Sequence, residues 1–157
     1  GGCDLAAFVF GGQAPPEASK HAIALLSDSL VWPDSVGCSK AVEAAQRLLI
    51  AHPERLSRVD REAVSGGMAA RALEALTGGQ SKDLILALIT DIFTVFGGSE
   101  AAPGRLLAAA LGMSEQELLG FKQYYFEEGR KEKEQRAKMR EALSPLLTRD
   151  PPYIVSL

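Results

Sequence analysis

The residues with the clearest chemical potential form one charge-dense run near the end of the chain, residues 130–140. This run holds six lysines or arginines and two glutamates, and no other segment is as densely basic. At helical spacings of three and four residues, Lys133, Arg136 and Arg140 share one side of a helix. That geometry suits contacts with successive phosphates of a nucleic-acid duplex. We therefore treat these three side chains as candidate nucleic-acid-binding residues.

A structural interpretation of the same run is also available, and the sequence favours it over binding. Acidic residues precede basic residues by four positions, which is the spacing of ion pairs on a solvated helix. Such surface pairs are common and individually weak, so they require no ligand. The three predicted pairs are Glu127 with Lys131, Glu132 with Arg136, and Glu134 with Lys138.

Motifs for catalysis or metal binding are missing from the sequence. It contains no glycine-rich phosphate loop, no dinucleotide fingerprint, no His-Glu-x-x-His and no Cys-x-x-Cys pair. His21 and His52 are isolated from other ligand types, and Cys38 lies on an apolar helix stripe where burial is expected. Trp32 suits base stacking, but its place at a helix corner favours packing. We expect no catalytic residue, no metal ligand and no cofactor, and hence no enzyme.

Composition and charge limit the classes of partner that the chain is expected to bind. The net charge of −3 and the pI near 5.4 create no global field that would recruit nucleic acid or membrane. The longest apolar stretch, 84–96, is interrupted by Thr90, Asp91 and Thr94 and falls short of the ~20 residues that span a bilayer. The two cysteines form no disulfide framework, which is typical of a reducing compartment. We expect no membrane partner.

The first half of the chain is predicted to contain two helix pairs. The first helix begins at residues 14–17 and ends by Trp32, because the residue before a proline leaves helical geometry. Asp34 or Ser35 caps the second helix, which runs to Leu49. The third helix extends over 54–76 with a bend at the glycines of 65–67, and the fourth, capped by Ser81, runs to Phe96.

The second half continues with three shorter predictions. A helix over 105–111 is followed by one over 115–126, which opens with a capping box formed by Ser114 and Glu117. Its aromatic end, 124–126, is expected in the core. A final helix over 131–147 covers the end of the domain, with three apolar residues turned inward: Met139, Leu143 and Leu146.

These elements predict an all-α fold. The second helices of the first two pairs begin about 46 residues apart, the period of HEAT or armadillo repeats. We predict an α-solenoid of about three antiparallel HEAT-type pairs plus a terminal helix over 14–147. Residues 1–13 are a short N-terminal segment or the end of a preceding helix, and 148–157 are a C-terminal tail. So few repeats normally need neighbours, so we expect this domain to pack on preceding repeats of a longer chain.

The order of these helix patterns resembles one receptor family. Segments 27–35, 83–96, 113–121 and 133–136 are similar to the C-terminal HEAT repeats of the exportin-5 family, including its plant branch HASTY, and the likeness covers 7–147. The resemblance implies a karyopherin-β nuclear export receptor. Such a receptor binds Ran-GTP through repeats outside this chain, carries structured RNA such as pre-microRNA or tRNA, and shuttles between nucleus and cytoplasm. The alternative is a HEAT-type adaptor for proteins outside nuclear transport.

Overall fold

The computed structural model describes residues 16–32, 34–78 and 81–148. These ranges contain seven helices and no strand, so the predicted all-α class is confirmed. The segment predicted over 1–13, the first two residues of the predicted first helix and the tail beyond 148 lie outside the described residues. No helix within the described ranges is long and apolar enough to cross a membrane.

The helices follow one another with short connections. Helix α1 is Pro16–Ser29, and α2 covers 35–50, ending in a π-helical turn, Gln46–Ile50. A 3₁₀ turn, Pro53–Arg55, precedes α3, which covers 58–77 and contains a second π-helical turn, Ala63–Met68. The remaining helices are α4 (Lys82–Phe96), α5 (Ala102–Leu111), α6 (Glu115–Tyr125) and α7 (Glu132–Leu147).

Side-chain caps fix the starts of three helices, α2, α3 and α6; at α3 the Ser57 hydroxyl accepts from the Asp60 N–H at 3.1 Å. Asp34 accepts a hydrogen bond from the backbone N–H of Val36 at 3.1 Å, so it is the cap of α2. At α6, the Ser114 hydroxyl accepts from the Glu117 N–H at 3.1 Å and the Glu117 carboxylate accepts from the Ser114 N–H at 2.9 Å. Each residue satisfies a backbone donor that the helix leaves free. The predicted capping box is confirmed.

Three other predictions about helix starts, those for α3, α4 and α5, are wrong. Ser81 does not cap α4: its backbone is left-handed, with φ at 50°, and its side chain forms no capping hydrogen bond. Helix α1 ends at Ser29, so the prediction that it ends by Trp32 is confirmed. Helix α3 begins at Arg58, four residues after its predicted start, because the residues that follow His52 form the 3₁₀ turn. Helix α5 begins three residues early, with a proline near its first turn, where a missing N–H costs little.

The helices stack in two layers. In the first layer α3 packs on both α1 and α5, and in the second α4 packs on both α2 and α7. The sequential partners α1 with α2, α3 with α4 and α5 with α6 also touch. Contact restricted to neighbours is how helical repeats pack. The superhelical course of a solenoid stays a prediction.

The third pair departs from the regular order, because α7 rather than α6 lies beside α4 in the second layer. Helix α6 instead contacts α4 through aromatic side chains. Phe121 and Tyr125 place their ring centroids 5.5 and 4.9 Å from that of Phe93 on α4. Helix α7 packs against another side of α4.

The core centres on α4, as its apolar residues on many sides predict. Met139, Leu143 and Leu146 of α7 are buried, so the predicted inward face of the terminal helix is confirmed. The aromatic prediction is right for Tyr125, which is fully buried, and wrong for Tyr124, which is 38% exposed. Trp32 is 47% exposed, so the prediction that it packs away is also wrong.

Candidate interhelical groove

A groove of about 400 Å³ separates the open side of α4 from α7. Its floor and walls combine small apolar side chains with charged ones. From α4 come Asp83, Leu86, Ala87, Thr90 and Asp91, from α7 come Arg136, Ala137 and Arg140, and α2 contributes Gln46. The groove is therefore the place where the candidate residues of the basic run meet other parts of the chain.

The three candidate residues have different surroundings. Arg136 and Arg140 line the groove, whereas Lys133 is exposed and does not line it. Arg136 donates to Glu132 one turn earlier, as predicted. Arg140 reaches across to the Asp83 carboxylate of α4 at 3.4 Å. Lys133 has no ion-pair partner among the described residues. Two of the three cations are thus already next to carboxylates of this chain.

The other two predicted ion pairs, Glu127 with Lys131 and Glu134 with Lys138, are wrong, because both glutamates pair with Arg130. It lies in the loop before α7, where its guanidinium group pairs with both Glu127 and Glu134. It also donates to the backbone carbonyl of Tyr124 and lies 3.7 Å from the centroid of that ring. The hydrogen bond from Arg130 lowers the pKa of the Glu134 carboxyl. Lys131 and Lys138 are left without these glutamates, and Lys138 instead lies 4.9 Å from the Tyr124 ring centroid.

Asp91 is the most constrained charged group in the groove. Its carboxylate accepts a hydrogen bond from the Gln46 side-chain amide at 2.9 Å. Burial raises the pKa of Asp91, and the bond from Gln46 and the charge of Arg136 act in the opposite direction. Gln46 begins the π-helical turn of α2, and such turns occur frequently at functional sites.

From Thr90 in the groove, a polar strip of hydroxyl groups and one glutamine side chain connects α4 with α6 and α7. The Tyr125 hydroxyl and the Thr94 hydroxyl are 2.6 Å apart, and Thr94 donates to the backbone carbonyl of Thr90 at 2.7 Å. Gln135 of α7 donates to the backbone carbonyl of Tyr125 at 3.0 Å. The strip therefore joins α4, α6 and α7 through hydrogen bonds whose donors and acceptors are satisfied within the fold.

The sequence prediction missed Gln46, Asp83 and Asp91 as groove residues. Asp91 was detectable, because a lone carboxylate in an otherwise apolar helix is rarely buried without a partner. No sequence pattern pointed to Gln46, because its hydrogen-bond partner Asp91 lies 45 positions away and on another helix. Asp83 looked like an ordinary first-turn acidic residue near a helix N-terminus.

The other candidate chemistry does not converge on this groove. Cys38 is buried as predicted, and burial raises the pKa of its thiol against the effect of the Ser81 hydrogen bond. His52 lies 3.5 Å from Glu54, and His21 is exposed. Within 16–32, 34–78 and 81–148, no group of three or more histidine, cysteine or acidic side chains is placed to hold a metal ion.

Comparisons with the models of known protein families, with curated proteins and with solved structures gave no match. The functional inference for this chain therefore depends on its helix patterns, its packing and the groove.

Proposed function

We propose that this chain is the C-terminal HEAT-type segment of an exportin-5-like nuclear export receptor, acting as a non-catalytic scaffold. In this proposal the receptor shuttles between nucleus and cytoplasm and carries structured RNA. Ran-GTP binds through parts of the receptor outside this chain. The observation that carries the proposal is the layered order of the helices, in which α1, α3 and α5 stack beside α2, α4 and α7.

The two ends of the stack support a terminal position. At one end α7 packs across α4 and α5 and buries its own apolar face. At the other end the first helix pair exposes large apolar side chains, among them Leu25 at 60%, Trp32 at 47% and Val36 at 60%. A preceding repeat packed on this pair would remove such side chains from water, which is favourable.

A direct RNA contact is the weaker part of the proposal. Lys133 is exposed and unpaired among the described residues, so it is the candidate best placed to meet a phosphate. A phosphate at Arg136 or Arg140 would have to replace the carboxylates of Glu132 and Asp83. These pairs are exposed and therefore weak enough to exchange. We expect a modest contribution from this helix to any RNA affinity.

The test is binding of a hairpin RNA with a 3′ overhang to the longest parent protein that contains this chain. Binding is measured across a salt series, with and without Ran loaded with GTP. The variant Lys133→Ala/Arg136→Ala/Arg140→Ala is compared with the matched control Lys40→Ala/Arg47→Ala/Arg58→Ala. The control removes three basic residues that are exposed on α2 and α3.

We expect RNA binding that requires Ran-GTP. If the first variant weakens it with a shallower salt slope and the control does not, phosphate contacts at α7 are supported. Ran-dependent binding that both variants retain would support the receptor and make α7 a structural helix. RNA binding that does not depend on Ran-GTP, or no RNA binding, would contradict the proposal of an export receptor. Either result would favour the alternative, a HEAT-type adaptor for proteins.

A further inference from the structure

The groove between α4 and α7 has walls of opposite charge. Asp83 and Asp91 lie on the α4 wall, and Arg136 and Arg140 lie on the α7 wall. We propose that this groove binds an extended peptide segment of a partner protein whose side chains follow the order basic, acidic, apolar, acidic, basic. The inference stands on the groove alone and goes beyond the proposed export function.

The spacing of the charges on each wall follows from the orientation of the two helices. Helices α4 and α7 run antiparallel, because Lys82 at the start of α4 donates to the carbonyl of Leu147 at the end of α7. At a rise of ~1.5 Å per residue, Asp83 and Asp91 are separated by ~12 Å along α4. Arg136 and Arg140 are separated by ~6 Å along α7.

An extended peptide matches both separations at once. Its residues advance by ~3.3 Å and its side chains alternate between the two walls. Positions 1 and 5, ~13 Å apart, then reach the two aspartates, and positions 2 and 4, ~6.6 Å apart, reach the two arginines. Position 3 faces the α4 wall between the aspartates, where Leu86 and Ala87 provide apolar surface. The charge order is the same in both chain directions.

The ion pair between Arg140 and Asp83 spans the groove and must open to admit such a ligand. Arg140 and Asp83 are 60% and 86% exposed and 3.4 Å apart, the features of a weak surface pair. A glutamate of the peptide offers Arg140 two oxygens in a bidentate geometry. Asp91 is partly desolvated, so an approaching cation favours its charged form.

A polyanion fits the groove less well. Phosphates that follow the arginine wall lie near Asp83, Asp91 and Glu132, whose charges repel them. The peptide instead presents each wall with the opposite sign. Charge complementarity of this kind contributes to specificity, because the wrong order of charges is repelled on both sides.

The test uses two peptides of identical composition and zero net charge, acetylated, amidated and fluorescently labelled. The first is Lys-Glu-Val-Glu-Lys and the second is Glu-Lys-Val-Lys-Glu. Binding to the full 157-residue chain is measured by fluorescence anisotropy. We expect the first peptide to bind at least ~5-fold more tightly than the second, the ratio that one well-placed surface pair supplies.

Two variants test the walls separately. Arg136→Ala/Arg140→Ala and Asp83→Asn/Asp91→Asn should each remove the preference between the peptides, while circular dichroism shows retained helix. Arg58→Ala is the matched control, because this arginine is 92% exposed on α3 and pairs with Glu62 away from the groove. The control should keep the preference.

Equal binding of both peptides, or binding of neither, would overturn the proposal. It is equally overturned if a hairpin RNA binds the chain through Arg136 and Arg140 while neither peptide binds. Failure here is distinguishable from failure of the export function, since the export test measures Ran-dependent RNA binding by the parent protein.

Discussion

Two sides of helix α4 show how differently one helix can be covered. On one side Phe93 packs against three rings, with centroid distances of 5.5 Å to Phe121, 4.9 Å to Tyr125 and 5.4 Å to Phe126. On the other side the groove stays open, although α7 lies directly across it. We call these the aromatic side and the groove side of α4. This difference indicates that one surface of the helix stabilises the fold and another surface of the same helix is open for binding.

The largest effect is expected on the aromatic side. Phe93→Ala removes a buried ring and leaves a cavity among three aromatic neighbours, which should lower the free energy of unfolding by about 3–5 kcal/mol. Urea denaturation followed by circular dichroism measures this loss. Leu84→Ala, on the same helix but 42% exposed, should cost less than about 1 kcal/mol. Equal losses for the two variants would show that the Phe93 ring contacts add no more stability than an exposed leucine of the same helix.

A smaller effect is expected where the two sides meet. Tyr125→Phe removes the hydroxyl that lies 2.6 Å from the Thr94 hydroxyl and should cost about 1 kcal/mol of unfolding free energy. Tyr124→Phe is the comparison, because the Tyr124 hydroxyl has no hydrogen bond among the described residues. Thermal and urea unfolding of both variants measure the difference. An equal response of the two tyrosines would show that the buried hydroxyl network adds no stability.

On the groove side, Asp91→Asn should stabilise the protein near neutral pH. The folded-state pKa of Asp91 is raised, chiefly by burial. The charged carboxylate therefore opposes folding above that pKa, and this cost disappears as the pH falls below the unfolded value. The stability difference between variant and wild type should be positive near neutral pH and shrink under acid conditions. Urea titrations over a pH series measure it, and a difference that grows towards acid would contradict the assignment.

The smallest effect is expected for the ion pair that crosses the groove. Arg140→Ala should change the unfolding free energy by no more than about 0.5 kcal/mol, since both partners are mostly exposed. A double-mutant cycle with Asp83→Ala isolates the coupling between the two side chains. A coupling well above about 1 kcal/mol would make this pair a structural element of the fold rather than an exchangeable contact.

Local sequence patterns predicted much of the fold. The capping box of Ser114 and Glu117, the cap at Asp34 and the inward face of α7 were correct because each depends on residues within a few positions. Helix ends near prolines were less accurate, because a 3₁₀ turn and an α-helical turn compete there with similar local geometry. Ser81 had the sequence of a cap, but its backbone is left-handed and its side chain forms no capping hydrogen bond.

The candidate site could be predicted only in part. Arg136 and Arg140 were found from their helical spacing, and their carboxylate neighbours Asp83 and Asp91 were not. The ion pairs of Arg130 with both Glu127 and Glu134 were also missed, because they depend on the loop that places Arg130 before α7. Partners on other helices are set by packing, which helical periodicity does not encode.

By itself, the sequence determined the all-α class, the number and order of the helices in the described ranges and the buried face of α7, because hydrophobic periodicity and capping act over short distances. Tertiary structure decided which helix lies beside α4 and which charges meet. The aromatic rings of α6 pack against Phe93 on one side of α4, and α7 packs against another side. The groove and its two oppositely charged walls exist only as a consequence of that packing.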